Sequence, residues 1–408
     1  MAIKWVHDNI AAFGGDNQRI TIFGESAGSA SVIYQALYPG NKGLFQRAIA
    51  QSGSIESYWA SQKEGPKYAK ILASFNKCNI DDTQAMFTCL QKLSNDRLVE
   101  MVSNTSYGLL NFPFPFTPNR DGDFVKYDPR AAFNELPNDV SDMYKSVDLL
   151  TGVNTAEGTV ALSPFMGVTD AESFQPSRTE FIDVLTPLLV NALYPERNGD
   201  MNLLRNLIVN EYTNWNSSDD DPLELRHTFV DMHGDAGFLG PLYSTINKHA
   251  EISSNNTFMY VLDIIPTTKL FTQISWLNRL AHGEELYAVF GYKSYNDGKN
   301  GFGEAQWERL LSKDIITLWS NFAYSGNPNK PVDLGLNWSP YTETNQQFLQ
   351  ISRDMTSSNV KQHWNMRRGY FWSRVLPDIV STVTCTESPE SSDYQANGYC
   401  EKDGGCSP

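Results

Sequence analysis

The residues with the clearest chemical potential form one pentapeptide, Gly24-Glu25-Ser26-Ala27-Gly28. It has the form Gly-x-Ser-x-Gly, in which a serine rides on a turn so tight that side chains two positions away are expected to collide with the flanking elements. A serine hydroxyl needs a base within hydrogen-bond reach before it attacks a carbonyl, and the base needs an acid to fix its tautomer. On a strand-turn-helix scaffold the partners follow in the order Ser, Asp or Glu, His. Glu157 in Asn154-Thr-Ala-Glu-Gly158 and His282 in Ala281-His-Gly-Glu-Glu285 satisfy that order. Each also has an ordinary reading, as a helix-start carboxylate and as one of six surface or core histidines. The expectation is Ser26 as nucleophile, His282 as base and Glu157 as the acid that orients it. The N–H of Ala27, at the start of a helix, is the expected oxyanion donor. The chemistry is acyl transfer through an acyl-enzyme, which implies neither a metal nor an organic cofactor.

Such a site must be positioned by strands and helices. Arg19-Ile-Thr-Ile-Phe23 reads as a buried strand running into the pentapeptide, and Ala27 to Leu37 as the helix behind it. Further buried runs at Phe45 to Gln51, Leu149 to Val153 and Thr257 to Leu262 each precede irregular and then helical sequence. That alternation predicts an α/β fold, a mostly parallel sheet covered by helices. Trp307 to Tyr324 places apolar residues every three or four positions and ends at Gly326-Asn-Pro328, as a packing helix should. A second late helix is expected over Gln362 to Leu376, closed by Pro377. Residues 1–380 are read as one domain and 381–408, rich in Ser, Pro and Gly, as an unstructured tail.

Composition narrows the partners. A formal charge of −15 over 408 residues disfavours nucleic acid, whose phosphates need a basic face. No run approaches the roughly 18 apolar residues of a membrane span, and no signal sequence follows Met1. Ile3, Val6 and Ile10 instead give an amphipathic helix at the first residue, which predicts that Met1 is internal to a longer protein. Five cysteines include Cys78 and Cys89, near enough to staple a local loop, and Cys385, Cys400 and Cys406 in the tail, where subunit tethering in a homo-oligomer competes with an unpaired loop. Asn-x-Ser/Thr acceptors at Asn104, Asn216, Asn255 and Asn337 point to secretion or display on the extracellular face.

Phe13-Gly-Gly-Asp-Asn17, Thr21-Ile-Phe-Gly-Glu-Ser-Ala-Gly-Ser29, Gln51-Ser-Gly-Ser54 and the His282 segment together resemble the type-B carboxylesterase and cholinesterase family, from Ala2 to about Pro377. The resemblance implies an α/β-hydrolase fold and an ester substrate, with a choline ester as one candidate. It implies that Trp59, Phe112 and Phe114 wall a small acyl pocket, although plain core packing also accounts for the phenylalanines. It further implies a Cys78–Cys89 disulfide and a buried pair, Ser52 and Glu285, behind the histidine, with Glu25 of the elbow supporting them.

The departures from the family are specific. Thr159, Val160 and Ala161 stand where acetylcholine-selective members carry an aromatic that meets a quaternary ammonium. Glu284 replaces a frequent tyrosine, and a long-range disulfide is missing at both ends, at Gly240 and near Gly369. The family's glycine-rich oxyanion loop and choline-binding tryptophan lie upstream of the Met1 helix, so the expectation is a sheet lacking its amino-terminal strands and half an oxyanion hole. The resemblance also admits a second function, a catalytically inactive adhesion or partner-binding protein on the same fold.

Overall fold

In the computed structural model, residues 1–108, 116–163, 166–195, 201–216, 221–267, 274–291 and 305–386 are described. Six strands make one sheet in sequential order: β1 (Thr21–Glu25), β2 (Arg47–Gln51), β3 (Asp148–Asn154), β4 (Thr257–Leu262), β5 (Gln347–Ile351) and β6 (Val360–Gln362). The first five are parallel and β6 returns antiparallel to β5. Parallel neighbours need crossovers, and helices supply them. Those used below are α1 (Ala2–Asn9), α2 (Ala27–Leu37), α3 (Asn202–Tyr212), α4 (Pro222–Gly234), α5 (Gly240–Ile252), α6 (Gln306–Ser325), α7 (Met366–Tyr370) and α8 (Leu376–Thr386).

Both faces of the sheet are covered, which is why its central strands read as continuous apolar runs. Ala48, Ala50 and Leu149 share one core with Ile33 and Leu37 of α2. The alternate residues Ile49, Leu150, Phe258 and Tyr260 share another with Leu311, Ile315 and Leu318 of α6. Among the described residues β1 pairs only with β2, and Ile3 of α1 packs against the first of these cores.

The structure shifts several expected boundaries. β1 begins at Thr21 and runs on through Gly24 and Glu25, which pair with Ala50 and Gln51. Register with β2, not local propensity, sets its end. β5 and β6 lie in a stretch whose periodicity is too weak to announce them, and Gln362 ends β6 and does not open a helix.

Pro377 does not close the late helix. α7 passes into a π-helical turn over Phe371–Val375, and α8 continues through Pro377 to Thr386. The same device occurs at Phe181–Leu185 before Pro187 and at Asp235–Leu239 before Pro241. A proline lacks the N–H for the residue four back and crowds its carbonyl. The wider turn just upstream changes the hydrogen-bond register, so the helix proceeds without that bond. Residues 381–386 of the expected tail are therefore helical. Residues 387–408, with Cys400 and Cys406, lie outside the described residues, as does the side chain of Cys385.

Cys78 and Cys89 form a disulfide. At Gly240 and Gly369, where the resemblance predicts no long-range bridge, two helical segments interlock. A Cβ on Gly240 would lie 2.5 Å from Trp372 Cβ, and one on Gly369 would lie 2.3 Å from the Tyr243 ring. Each glycine thus receives an aromatic side chain from the opposite element. Asn216, Asn255 and Asn337 are exposed, and Asn104 falls in a helix over Asn95–Gly108 with its side chain outside the described residues. Among the described residues no helix is long and apolar enough to cross a membrane.

Candidate active site

Ser26 sits at φ 58° and ψ −119°, between the end of β1 and the first turn of α2. Its N–H donates to Gln51 O at 2.9 Å, so β2 holds the strained turn in place. A Cβ on Gly24 would lie 2.5 Å from the Gly28 backbone, whereas one on Gly28 would meet nothing within 4 Å. The expected steric demand therefore falls on Gly24 alone; Gly28 supplies the backbone that it approaches. Gly53, beyond β2, is equally constrained, because its Cβ would lie 2.6 Å from Ser26 O. Ala27 opens α2, where its N–H has no acceptor within the helix.

Loops at the carboxyl ends of β3 and β4 bring the other two residues to Ser26. His282 Nε2 lies 2.8 Å from Ser26 Oγ, and His282 Nδ1 lies 2.5 Å from Glu157 Oε2. The other carboxylate oxygen of Glu157 accepts from Ser52 Oγ at 2.6 Å and from the Asn154 N–H at 2.5 Å. Charge-assisted bonds of this kind fix the carboxylate's orientation as well as its charge. Ser52 holds this contact at φ 54°.

Ser52 and Glu285 reach Glu157 by different routes. Glu285 accepts from Asn154 Nδ2 at 2.6 Å and from Gln51 Nε2 at 3.3 Å, and Trp319 Nε1 donates to Gln51 Oε1 at 3.0 Å. Asn154 Nδ2 also donates to Ala281 O at 2.9 Å, which ties the histidine loop to β3. Glu284 is buried and accepts from the Ala281 N–H at 3.2 Å. Glu25 Oε1 stands 3.2 Å from His282 Nε2.

The electrostatics follow from three carboxylates around one imidazole. Burial alone would depress His282, but the hydrogen bond and charge of Glu157, followed by the charges of Glu25 and Glu285, raise it to about 9. Burial raises Glu25 to about 7 against the pull of His282, with Glu285 and Glu157 adding to the rise. Burial and the Glu157 charge raise Glu285 to about 6 against the Asn154 hydrogen bond.

Two contributors carry no sequence signal. Thr159 Oγ1 accepts from the His282 N–H at 3.0 Å, so this position holds the histidine's backbone where the family resemblance suggests only a lost aromatic neighbour. Phe238, in the π-helical turn after α4, places its ring 4.8 Å from the His282 imidazole and 5.3 Å from Trp59. Both contacts are made across the fold and leave no local pattern. Trp59 is wedged between Gly53 and Gly237, where Cβ atoms would lie 2.8 Å and 3.3 Å from its ring.

A cavity of about 480 Å³ opens from Ser26 and His282. Its walls include Trp59, Phe238, Tyr34 and Met166, and no charged side chain other than His282 lines it among the described residues. Phe116 also lines it, whereas Phe112 and Phe114 lie outside the described residues.

Residues 1–372 match the carboxylesterase family. Bile salt-activated lipase of Bos taurus is 30% identical over 401 residues, covering 96% of this chain and 63% of the lipase. Neuroligin-3 of Mus musculus is 32% identical over 411 residues, covering 95% of this chain and 47% of that protein. The chain thus spans less than two thirds of the length of either relative. With the family matched over nearly its whole length and a parallel sheet wrapped in helices, the chain belongs to the carboxylesterase family and has its α/β-hydrolase fold.

Proposed function

We propose that this protein hydrolyses carboxylic esters through Ser26, His282 and Glu157. The continuous hydrogen-bonded chain from Ser26 Oγ through the imidazole to the Glu157 carboxylate carries the reading. Ser26 Oγ attacks the ester carbonyl as its proton passes to His282 Nε2, and the imidazolium returns that proton to the departing alkoxide. Glu157 keeps Nδ1 protonated and compensates the charge that appears on the ring. The Ala27 N–H is one donor to the oxyanion. Water then enters on the same base and releases the acid.

The substrate side favours uncharged esters over choline esters. No carboxylate lines the cavity among the described residues, and Thr159 and Ala161, buried beside the histidine, offer no aromatic face to a cation. The Cys78–Cys89 disulfide and the exposed Asn216, Asn255 and Asn337 support a secreted or cell-surface protein.

The presence of neuroligin-3 among the relatives keeps a second reading, a partner-binding protein without turnover. Such a protein has no use for a serine held at φ 58° on a buried His–Glu pair. A fluorophosphonate that reacts only with activated serine separates the two. The expected result is one adduct on Ser26 and none in Ser26→Ala, with both proteins melting alike. A correctly folded chain that takes no label sinks the hydrolase reading and leaves the binding one.

A further inference from the structure

We infer that the cavity beside Ser26 is an acyl channel running along α2, with Tyr34 as its floor, that takes unbranched acyl chains of medium length. This rests on the hydrolase reading for the word acyl, but the channel itself is a property of the helix. Ala27, Ala30, Ser31 and Tyr34 all line the cavity. Their spacing of three, four and seven puts them on one face of α2, so the helix that presents the nucleophile also forms one wall of the channel. The first three are small and the fourth is large. That order makes a groove that begins at the nucleophile and is stopped two turns later.

The far end is closed by well-packed groups. Tyr34 is buried, its hydroxyl reaches Ala60 O at 3.4 Å, and Ala60 also lines the cavity. Met166 and Trp59, which share a core cluster with Ala30, add buried apolar surface to the lining, while Ala27, Ser31 and Val160 are exposed and mark the open side. Direction follows from the chemistry. The leaving oxygen must face His282 Nε2 to receive its proton, so the alcohol portion occupies that side and the acyl chain takes the remaining direction, towards Tyr34.

Length follows from the helix. Ala27 to Tyr34 spans about 10 Å at ~1.5 Å of rise per residue. Carbon–carbon bonds of ~1.5 Å advance somewhat less than that per atom in a zigzag, so the channel accepts roughly eight carbons. The specificity-determining residues are accordingly Ala30 and Ser31 for width and Tyr34 for depth.

The test uses the linear alkan-2-ones from butan-2-one to tetradecan-2-one, which are uncharged and need no turnover, titrated calorimetrically into the full chain and into Ser26→Ala. Affinity should rise about fourfold per methylene, as burial of each CH₂ requires, and stop rising at roughly eight carbons. Ala30→Leu should bring the plateau forward by about two carbons, as a larger side chain narrows the channel. Should Ala30→Leu fail to fold, Ser31→Phe narrows the channel from its open side without touching the core. Affinity independent of chain length, a rise that continues through tetradecan-2-one, or a plateau unmoved in the folded variant overturns the channel. Ketone binding with this profile but no fluorophosphonate adduct would leave the channel standing and remove the hydrolase reading. An adduct with a flat ketone series would do the reverse.

Discussion

Two charge clusters flank the Glu157–Gly158 turn, one largely buried and one partly exposed, and they are built on opposite plans. On one side Glu25, Glu157 and Glu285 surround the single imidazole of His282. On the other, Asp231 and Asp235 of the α4 region meet Arg279 and Arg368. The second cluster is balanced and heavily cross-linked. Tyr212 of α3 donates to Asp235 Oδ2 at 2.6 Å, Trp372 Nε1 donates to the Tyr212 hydroxyl at 2.9 Å, and the Arg368 guanidinium lies 4.4 Å above the Tyr212 ring. It joins α3, α4 and α7 through charge that has a partner. The first cluster carries an excess of negative charge around one imidazole, an arrangement that raises the proton affinity of the ring and of Glu25 and Glu285 alike. The charge cluster that joins helices and the one around His282 differ in stoichiometry more than in residue type.

Four substitutions sharpen or break that contrast. The largest effect belongs to Glu157→Gln, which preserves shape and removes the acid. Turnover should fall by about 10⁴-fold, as loss of the orienting carboxylate does in related triads, with the melting temperature nearly unchanged. A loss of stability equal to the loss of rate would show that Glu157 belongs to the scaffold. Next comes Arg368→Met, which leaves Asp235 buried with less compensation and should cost about 2 kcal/mol in urea unfolding, reduced from the value for a fully buried pair by the partial exposure of Arg368. Burial raises Asp235 to about 7 against the pull of Arg368. Its contribution to stability is therefore complete below the unfolded carboxylate value and is lost as pH rises through 7. The variant should be more destabilised at about pH 8 than at about pH 6, and equal losses at both would place the effect elsewhere.

Glu25→Gln should act on chemistry alone. Removing a negative charge 3.2 Å from His282 Nε2 makes the imidazolium less favourable, so the acid limb of kcat/KM should move to lower pH than in the unsubstituted protein. An unmoved limb would remove Glu25 from the electrostatic account. The smallest effect is His233→Leu. This histidine is fully buried, packs 4.4 Å from Phe229, and neither ring nitrogen has a hydrogen-bond partner among the described residues. Burial depresses it to about 3, so folding releases its proton and the protein loses stability as pH falls below the unfolded value. Leucine should stabilise the fold by about 1 kcal/mol and flatten that acid dependence, both read from chemical denaturation.

The sequence made some of this architecture legible and hid the rest for identifiable reasons. The elbow at Ser26 has a local signature because its turn requires Gly24, and the order of Glu157 and His282 follows from the parallel sheet. The strands β2, β3 and β4 show as apolar runs because both their faces are buried. Thr159 and Phe238 could not be found this way, since each acts on His282 through a contact across the fold. Pro377 misled for a related reason. A proline ends a regular helix, and the π-helical turn that lets α8 continue is a property of hydrogen-bond register, which residue types do not display.

The reciprocal seating of Trp372 on Gly240 and of Tyr243 on Gly369 limits what either glycine can be replaced by. Engineering a cysteine at either position would set a side chain where an aromatic already sits, before any bond could form. Each single step is obstructed, and only concerted replacement of two glycines and two aromatics is open. The two helical segments are thus keyed to each other by shape, and the key is lost when either glycine gains a side chain.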